Sequence, residues 1–178
     1  MWKLLRRVAD SISMKLMKIG AFDRFVGFLT YQRKRTLRRK VEKRLLASGQ
    51  YGNTVMGGPF HGMIYPPSKT WISARFEKII GAYEQELHTQ IQRLVEQEKN
   101  YSQIINVGAA DGFYSIGFAK LFPKADGIAY ELNARSRDVL ALVAELNCVS
   151  ERIRIERQAD PETLAALDPG PRPLLICD

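Results

Sequence analysis

The apolar positions of the chain follow one period before about residue 100 and another after it. In the first part they recur at spacings of three and four, which is the period of an amphipathic helix. We predict three helices in this part. The first covers residues 2–19, the second begins with Asp23 as its N-cap and ends near Ser48, and the third covers residues 74–98. Residues 54–67 are rich in glycine and proline and predict a hairpin or an irregular strand pair.

From residue 103 onward, short apolar runs alternate with helical patterns. The predicted strands, in chain order, are QIINV (103–107), GIAYE (127–131), RIRIE (152–156) and LLICD (174–178). The predicted helices between them are residues 114–121, 134–147 and 162–167. Strict alternation of strands and helices indicates a parallel sheet. We therefore expect an α/β fold, a Rossmann-like parallel sheet of about four strands with helices on both faces.

The charged residues are unevenly distributed along the chain. Residues 1–46 contain 14 Lys and Arg and three acids, a net charge of +11, whereas the other residues contain 13 bases and 16 acids, a net charge of −3. The basic character therefore belongs to an arm. We predict three regions: a basic amphipathic helical arm (1–50), a hairpin and helix leading into the core (51–100), and the sheet region (101–178).

The loop after the first predicted strand, residues 108–112, reads Gly-Ala-Ala-Asp-Gly. Gly108 allows a sharp turn, and Gly112 lets the next helix pack closely or leaves room for a ligand. Glu131 ends the second predicted strand, 23 residues after Gly108, and a carboxylate there can accept hydrogen bonds from both hydroxyls of a ribose. Because ligands of open parallel sheets bind beyond the carboxyl ends of the strands, these features together predict a nucleoside site.

The loop does not match the common phosphate-binding motifs. The dinucleotide fingerprint Gly-x-Gly-x-x-Gly would have Ala110 and Phe113 at its second and third glycine positions, and the P-loop sequence Gly-Lys-Ser/Thr does not occur. Asp111 stands in the loop where a pyrophosphate site would need Lys or Arg. An acid suits a ligand with a positive amine, and S-adenosylmethionine combines an amine, a sulfonium and a ribose without phosphate.

Residues 104–116, IINVGAADGFYSI, resemble motif I of the class I S-adenosylmethionine-dependent methyltransferases, and they are most similar to the FkbM-like branch. The resemblance continues through AYELN, which contains Glu131, through Asn147, and through LLICD. Upstream, GPFHGMIY and GAYEQELH also resemble segments that precede motif I in some of these enzymes. The similarity covers roughly residues 55–178.

The resemblance implies a set of cofactor-binding residues: Asn106, Gly108, Ala109, Ala110, Asp111, Gly112, Glu131, Leu132, Gln158, Ala159 and Asp178. The residues of the loop would line the methionine part, with Asn106 and Asp111 near its amine. The family usually has an acid at the position of Asn106. An amide carries no charge, so either cofactor affinity falls or Asp111 substitutes for the acid.

The resemblance also assigns the residues at the ends of the other strands. Glu131 would hold the ribose, with Leu132 against the adenine, while Gln158 and Ala159 would border the adenine edge. Asp178 would lie near the sulfonium. The family's sheet has seven strands and this chain stops at the fourth, so we expect a fragment or a truncated product, and we assign no catalytic base.

Several of these residues have a purely structural alternative. Gly108 and Gly112 could be turn residues only, and Asp111 could cap the helix that follows it. Glu84 and His88, on the predicted helix before the first strand, could face the cofactor or belong to a solvated helix face.

The cysteines and the arm bear on location. Cys148 and Cys177 show neither metal-ligand spacing nor a disulfide framework, so we expect core thiols and a cytoplasmic protein. No apolar run of the sequence reaches the ~18 residues that a membrane span needs. The arm is interpreted as a solvated helical cap or as a helix on an anionic membrane surface. We do not expect nucleic-acid binding, because aromatic residues are not interleaved with the basic cluster 33–44.

The sequence thus leaves two hypotheses of different classes. The first is an enzyme that transfers a methyl group from S-adenosylmethionine to an oxygen or nitrogen of an unidentified acceptor, such as a small molecule or a glycan. The alternative is a non-catalytic binding module, in which the basic arm docks on anionic membrane or nucleic acid and the sheet is a degenerate scaffold. A nicotinamide-dependent oxidoreductase would share the fold but lacks the fingerprint. Nothing in the sequence indicates the oligomeric state.

Overall fold

The computed structural model describes residues 20–47, 52–67, 70, 72–97 and 100–177 of the 178-residue chain. The chain divides into two compact units, Met1–Ser48 and Gly49–Asp178.

The first unit contains helix α1, Gly20–Ala47. The helix predicted over residues 2–19 lies outside the described residues. Asp23 lies inside α1, so the prediction that Asp23 caps this helix is wrong. None of the described helices is both long enough and apolar enough to cross a bilayer.

The sheet of the second unit has four parallel strands, as predicted. Its strands are β1 (Gln103–Val107), β2 (Asp126–Tyr130), β3 (Ile153–Glu156) and β4 (Pro173–Cys177). Their order across the sheet is β3-β2-β1-β4. Val107 pairs with both Tyr130 and Cys177, so the carboxyl ends of β1, β2 and β4 lie at one edge. The chain order reverses between β1 and β4, which is where ligands bind in sheets of this kind.

Three helices accompany the strands of this sheet. They are α4 (Phe113–Leu121), α5 (Ala134–Leu146) and α6 (Pro161–Ala165). Asp160 caps α6 by accepting a 2.7 Å hydrogen bond from the Thr163 amide. This bond lowers the pKa of Asp160.

The core lies mainly on one face of the sheet. Side chains from that face, from α4 and α5, and from residues 52–67 form one buried cluster, which includes Val55, Phe60, Met63, Ile104, Ile116, Leu140 and Val143. On the other face, Ile105, Ile128 and Tyr130 are buried against Ala159 and Leu167, which flank α6. Helices therefore accompany both faces, and the predicted α/β architecture is confirmed.

Residues 52–67 form an irregular antiparallel pair, as predicted, with Thr54 bridged to Ile64. Asn147, which follows α5, fastens this pair to the core. Its side chain accepts from the Ile64 amide at 2.8 Å and donates to the Ile64 carbonyl at 2.7 Å. The segment before the sheet is thus part of the same packed body.

The single helix predicted over residues 74–98 is wrong, because the chain breaks it twice. The structure has α2 (Arg75–Ile80), a 3-10 turn (Gln85–Leu87) and α3 (His88–Gln97). Gly81 ends α2 in the left-handed region, with φ 73°. A Cβ at this position would lie 2.3 Å from the backbone of Gly57, so the close approach of Gly57 leaves room only for glycine.

The prediction that both cysteines are core thiols is also wrong, because Cys148 and Cys177 are exposed. Cys148 occupies a left-handed turn after α5, with φ 55°. Cys177 lies on β4, which is an edge strand of the four-stranded sheet.

Replacing Gly81 with Ala is expected to lower the free energy of unfolding by about 3 kcal/mol, because the new Cβ meets both an unfavourable φ and the backbone of Gly57. Gly62→Ala is the matched control: its φ is +82° but nothing lies within 4 Å of the added Cβ, so we expect a loss of about 1 kcal/mol. Urea denaturation of both variants measures the difference. Equal losses would show that the contact with Gly57 carries no cost.

Candidate active site

The loop between β1 and α4 has an unusual backbone. Gly108 and Gly112 have φ values of 83° and 85°, and Ala110 between them has φ 47°. A left-handed conformation is accessible to glycine but costs a residue with a Cβ roughly 1–2 kcal/mol. The bend at Ala110 must therefore be held by other contacts.

Glu131, immediately after β2, supplies one of these contacts. Its Oε2 accepts a 2.8 Å hydrogen bond from the Ala110 amide, and its Oε1 accepts a 2.7 Å bond from the Asn133 amide. Because an ionised carboxylate has about four acceptor positions, each oxygen keeps capacity for one more donor. The carboxylate is therefore fixed in direction, with an acceptor position free on each oxygen.

The amides of Gly108, Ala109 and Gly112 also have acceptors within the protein. The amides of Gly108 and Ala109 both donate to the Tyr130 carbonyl at 2.9 Å, and the Gly112 amide donates to the Ala109 carbonyl at 2.8 Å. These bonds tie the loop to the end of β2 and fix the position of the bend relative to Glu131.

Asp111 is buried and paired. Both of its carboxylate oxygens lie 2.7 Å from Nζ of Lys78 on α2, and the two side chains are each 3% exposed. The N-cap position of α4 is Gly112, which has no side-chain cap bond, so the prediction that Asp111 caps this helix is wrong. The charge of Asp111 is neutralised by Lys78.

Asn106, near the end of β1, lies beneath the loop and is 2% exposed. Its amide nitrogen donates to the Ser115 hydroxyl at 2.9 Å. Its Oδ1 is buried and has no hydrogen-bond partner within the described part of the chain. A buried acceptor left without a donor is costly.

The residues predicted around the adenine lie at the ends of β2 and β3. Leu132, next to Glu131, is 67% exposed, an apolar side chain left open to solvent. The Glu131 amide donates to the Glu156 carbonyl at 3.0 Å, which brings the segment after β3 alongside. In that segment Gln158 is exposed and Ala159 is half-buried. Asp178 lies outside the described residues.

Glu84 and His88 differ in their relation to the loop. Glu84 accepts a hydrogen bond from the hydroxyl of Tyr114 in the first turn of α4. Nε2 of His88 lies 3.0 Å from the Tyr83 carbonyl, and the His88 ring approaches Gly58. Thus Glu84 reaches the helix that follows the loop, whereas the described contacts of His88 are with the segment before the sheet.

Sequence reasoning missed Lys78. The buried face of α2 consists of Arg75, Lys78 and Ile79. Their spacing of three and four along the helix was the available signal. The identity of the partner, Asp111, depends on tertiary packing and has no local signature.

Taken together, the described geometry fits a nucleoside rather than a phosphate. A fixed carboxylate offers two acceptor positions beside an exposed apolar side chain, at the carboxyl edge of the sheet. A separate cavity of about 510 Å³ lies at the other edge, where β1 and β2 begin, and Arg152 is among its lining residues. The Arg152 guanidinium is engaged there by the carbonyls of Ala119 and Ala125.

Parts of the chain are similar in backbone to parts of solved structures, at low sequence identity. One is cofactor-bound Rv0187 from MTB, with 18% identity, a TM-score of 0.43, and coverage of 64% of this chain and 46% of that one. A second is TYW2 from P. horikoshii in complex with MeSAdo, with 21% identity, a TM-score of 0.39, and coverage of 55% and 33%. A third is precorrin-6y C5,15-methyltransferase from Geobacter metallireducens GS-15, with 16% identity, a TM-score of 0.39, and coverage of 49% and 47%.

The matched part of the chain spans about a third to just under half of the length of these three proteins. No model of a known protein family matches the sequence, and no curated protein sequence is significantly similar to it.

Tyr65, on the segment before the sheet, offers a test of the electrostatics around the loop. Burial raises the pKa of Tyr65 well above its ordinary value of 10.0, and the negative charge of Asp111 raises it further. Above about pH 10 the unfolded chain loses the phenol proton while the folded chain keeps it, so stability falls as the pH rises.

Tyr65→Phe is therefore expected to make the loss of unfolding free energy above about pH 10 shallower. At neutral pH the variant should be as stable as the parent or slightly more so, because the Tyr65 hydroxyl is buried without a partner among the described residues. Urea denaturation at a series of alkaline pH values measures both effects. An unchanged slope would contradict the described environment of Tyr65.

Proposed function

We propose that this chain belongs to an S-adenosylmethionine-dependent methyltransferase that transfers a methyl group to an oxygen or nitrogen of an acceptor. The observation that carries the proposal is the Glu131 carboxylate, held by the amides of Ala110 and Asn133 at the carboxyl edge of the sheet. The resemblance of residues 104–116 to motif I supports the class I assignment and, within it, the FkbM-like branch. A small molecule or a glycan is the proposed acceptor.

The residues present fit the adenosine half of such a cofactor. Glu131 has one free acceptor position on each oxygen, which matches the two hydroxyls of a ribose. Leu132 exposes 67% of its surface, and contact with an adenine ring would cover it. Gln158 and Ala159 follow the neighbouring strand and are proposed to border the adenine edge.

Two residues, Asn106 and Asp111, were predicted to bind the amine of the methionine half of the cofactor, and the structure leaves one of them suited to it. Oδ1 of Asn106, which has no hydrogen-bond partner among the described residues, is an acceptor suited to an ammonium donor. Asp111 is already neutralised by Lys78, so we assign it to the structure of the loop rather than to the amine. The position of Asp178 near the sulfonium stays a prediction.

Bound S-adenosylmethionine would supply an electrophilic methyl carbon for transfer to the acceptor atom; the sulfur would keep the electron pair of the broken carbon–sulfur bond, and the acceptor's proton would go to a base. The described residues contribute binding and orientation. The loop and Glu131 fix where the nucleoside lies, and holding donor and acceptor aligned is a large part of catalysis in such displacements. We assign no described residue as the base.

Calorimetric titration of the 178-residue chain with S-adenosylhomocysteine tests the proposal, and we expect saturable binding. Glu131→Ala should weaken this binding by about 1.5–3 kcal/mol, roughly 10- to 150-fold, because it removes a charged acceptor. Glu156→Ala is the matched control. Glu156 ends the neighbouring strand, and its side chain, 43% exposed, pairs with Arg154. This variant should bind like the parent.

Absence of binding at millimolar ligand would reject the methyltransferase proposal. Equal weakening by the two variants would remove Glu131 from the site while leaving the fold assignment intact.

A second candidate function concerns α1 and rests on a separate observation. Large apolar side chains on this helix are 43–62% exposed: Val26, Phe28, Leu29, Tyr31, Leu37 and Val41. Exposed bases lie on the same helix: Arg33, Lys34, Lys40, Lys43 and Arg44. Cations together with exposed aromatic and aliphatic side chains suit an anionic lipid surface. We propose that α1 docks this protein on anionic membrane, which keeps the location cytoplasmic and peripheral.

Co-sedimentation with phosphatidylcholine vesicles, with and without phosphatidylserine, tests this docking. We expect binding only to the anionic vesicles, and its loss at about 1 M salt, where the Debye length is about 3 Å. Replacing Arg33, Lys34, Lys40 and Lys43 with Gln should weaken binding roughly 100-fold or more, at about 1 kcal/mol for each cation. Binding to RNA with no binding to anionic vesicles would replace the membrane proposal with a nucleic-acid one.

A further inference from the structure

The side chain of Lys78 reaches the candidate site from outside the sheet. It lies on α2, and its Nζ is 2.7 Å from both oxygens of Asp111 in the loop that precedes α4. Lys78 is 2% exposed and Asp111 is 3% exposed. A buried pair of this kind is stable only when geometry and packing are good, and removal of either partner leaves an uncompensated charge.

Aromatic rings fix the direction of the Lys78 ammonium. It lies 4.9 Å from the centre of the Tyr83 ring and 5.4 Å from that of Phe113. A cation is attracted to the face of such rings. Phe113 is the first residue of α4, so the ammonium contacts the loop and the start of the helix together.

The helix that carries Lys78 is itself held firmly. The Met56 amide donates to the Ile79 carbonyl at 2.7 Å. Arg75, one turn before Lys78 on the same face, donates to Asn53 Oδ1 at 2.9 Å and to the Pro66 carbonyl at 2.6 Å. The position of α2, and with it the Lys78 backbone, is therefore held by the packed segment 52–67.

We propose that Lys78 is a positioning residue for the cofactor site: it fixes the 108–112 loop through Asp111, from α2. Glu131 holds the Ala110 amide, and Lys78 holds the next residue, Asp111. The left-handed residue lies between the two contacts, so loss of either one frees the bend. The effect of Lys78 on cofactor binding rests on the proposed function, whereas its effect on the loop does not depend on that function.

The experiment compares Lys78→Met with Arg75→Met in the full 178-residue chain. Both variants remove a buried cation from the same face of α2. The described hydrogen bonds of Arg75 go to Asn53 and Pro66, whereas Lys78 pairs with Asp111 of the loop. Hydrogen exchange of residues 108–112, measured by mass spectrometry without ligand, should be about tenfold faster or more in Lys78→Met. In Arg75→Met the exchange should stay within about twofold of the parent.

The same variants are titrated with S-adenosylhomocysteine at a temperature well below their unfolding midpoints. We expect Lys78→Met to bind about tenfold more weakly or worse, and Arg75→Met to bind within about twofold of the parent. A merely structural role for Lys78 would move both variants alike, and that result would overturn the proposal.

The double variant Lys78→Met/Asp111→Leu covers the case in which Lys78→Met does not fold. It leaves no unpaired charge, because both members of the pair become apolar. Its loop should still exchange about tenfold faster than in the parent or more, because the directional contact is gone. Exchange at the parent rate in this variant would overturn the inference. If the parent itself does not bind S-adenosylhomocysteine, the proposed function fails, and the exchange rates still decide the role of Lys78.

Discussion

The left-handed conformation of Ala110 is the constraint on which the candidate site depends. An alanine adopts it only at a cost, and the structure meets that cost with contacts from two directions. Glu131 accepts the Ala110 amide from the end of β2, and Lys78 holds Asp111 from α2. Three segments that are distant in the sequence therefore meet at one bend. The bend follows β1, which lies between β2 and β4, where the order of the strands along the chain reverses across the sheet.

This arrangement makes Glu131 both a structural and a candidate binding group. Its two hydrogen bonds to backbone amides orient the carboxylate, and the acceptor positions that remain are the ones a ribose would use. The segment before the sheet is likewise more than an appendage. Helix α2 supplies Lys78, and Asn147 fastens residues 52–67, which hold α2, to the core through Ile64. A substitution in residues 52–67 or in α2 would thus alter the conformation of the 108–112 loop without contacting a ligand.

Much of the fold could be predicted because its signals are local. Three of the strands are short, mainly apolar runs, and β3 alternates apolar and charged residues. All four were predicted within one residue of their observed bounds. The features that were missed depend on contacts between distant residues. The approach of Gly57 to Gly81 and the pairing of the buried Lys78 with Asp111 are contacts of this kind. The loop and Glu131 were identified from residue type and spacing, whereas the role of Lys78 required the packed structure.

A crystal structure of the chain with S-adenosylhomocysteine bound would test the central claim most directly. The account predicts both ribose hydroxyls within hydrogen-bond distance of the Glu131 carboxylate, at about 2.7 Å, with the Ala110 amide still donating to Oε2. A ligand bound elsewhere, such as in the cavity at the beginning of β1 and β2, or a ribose with no contact to Glu131, would contradict it.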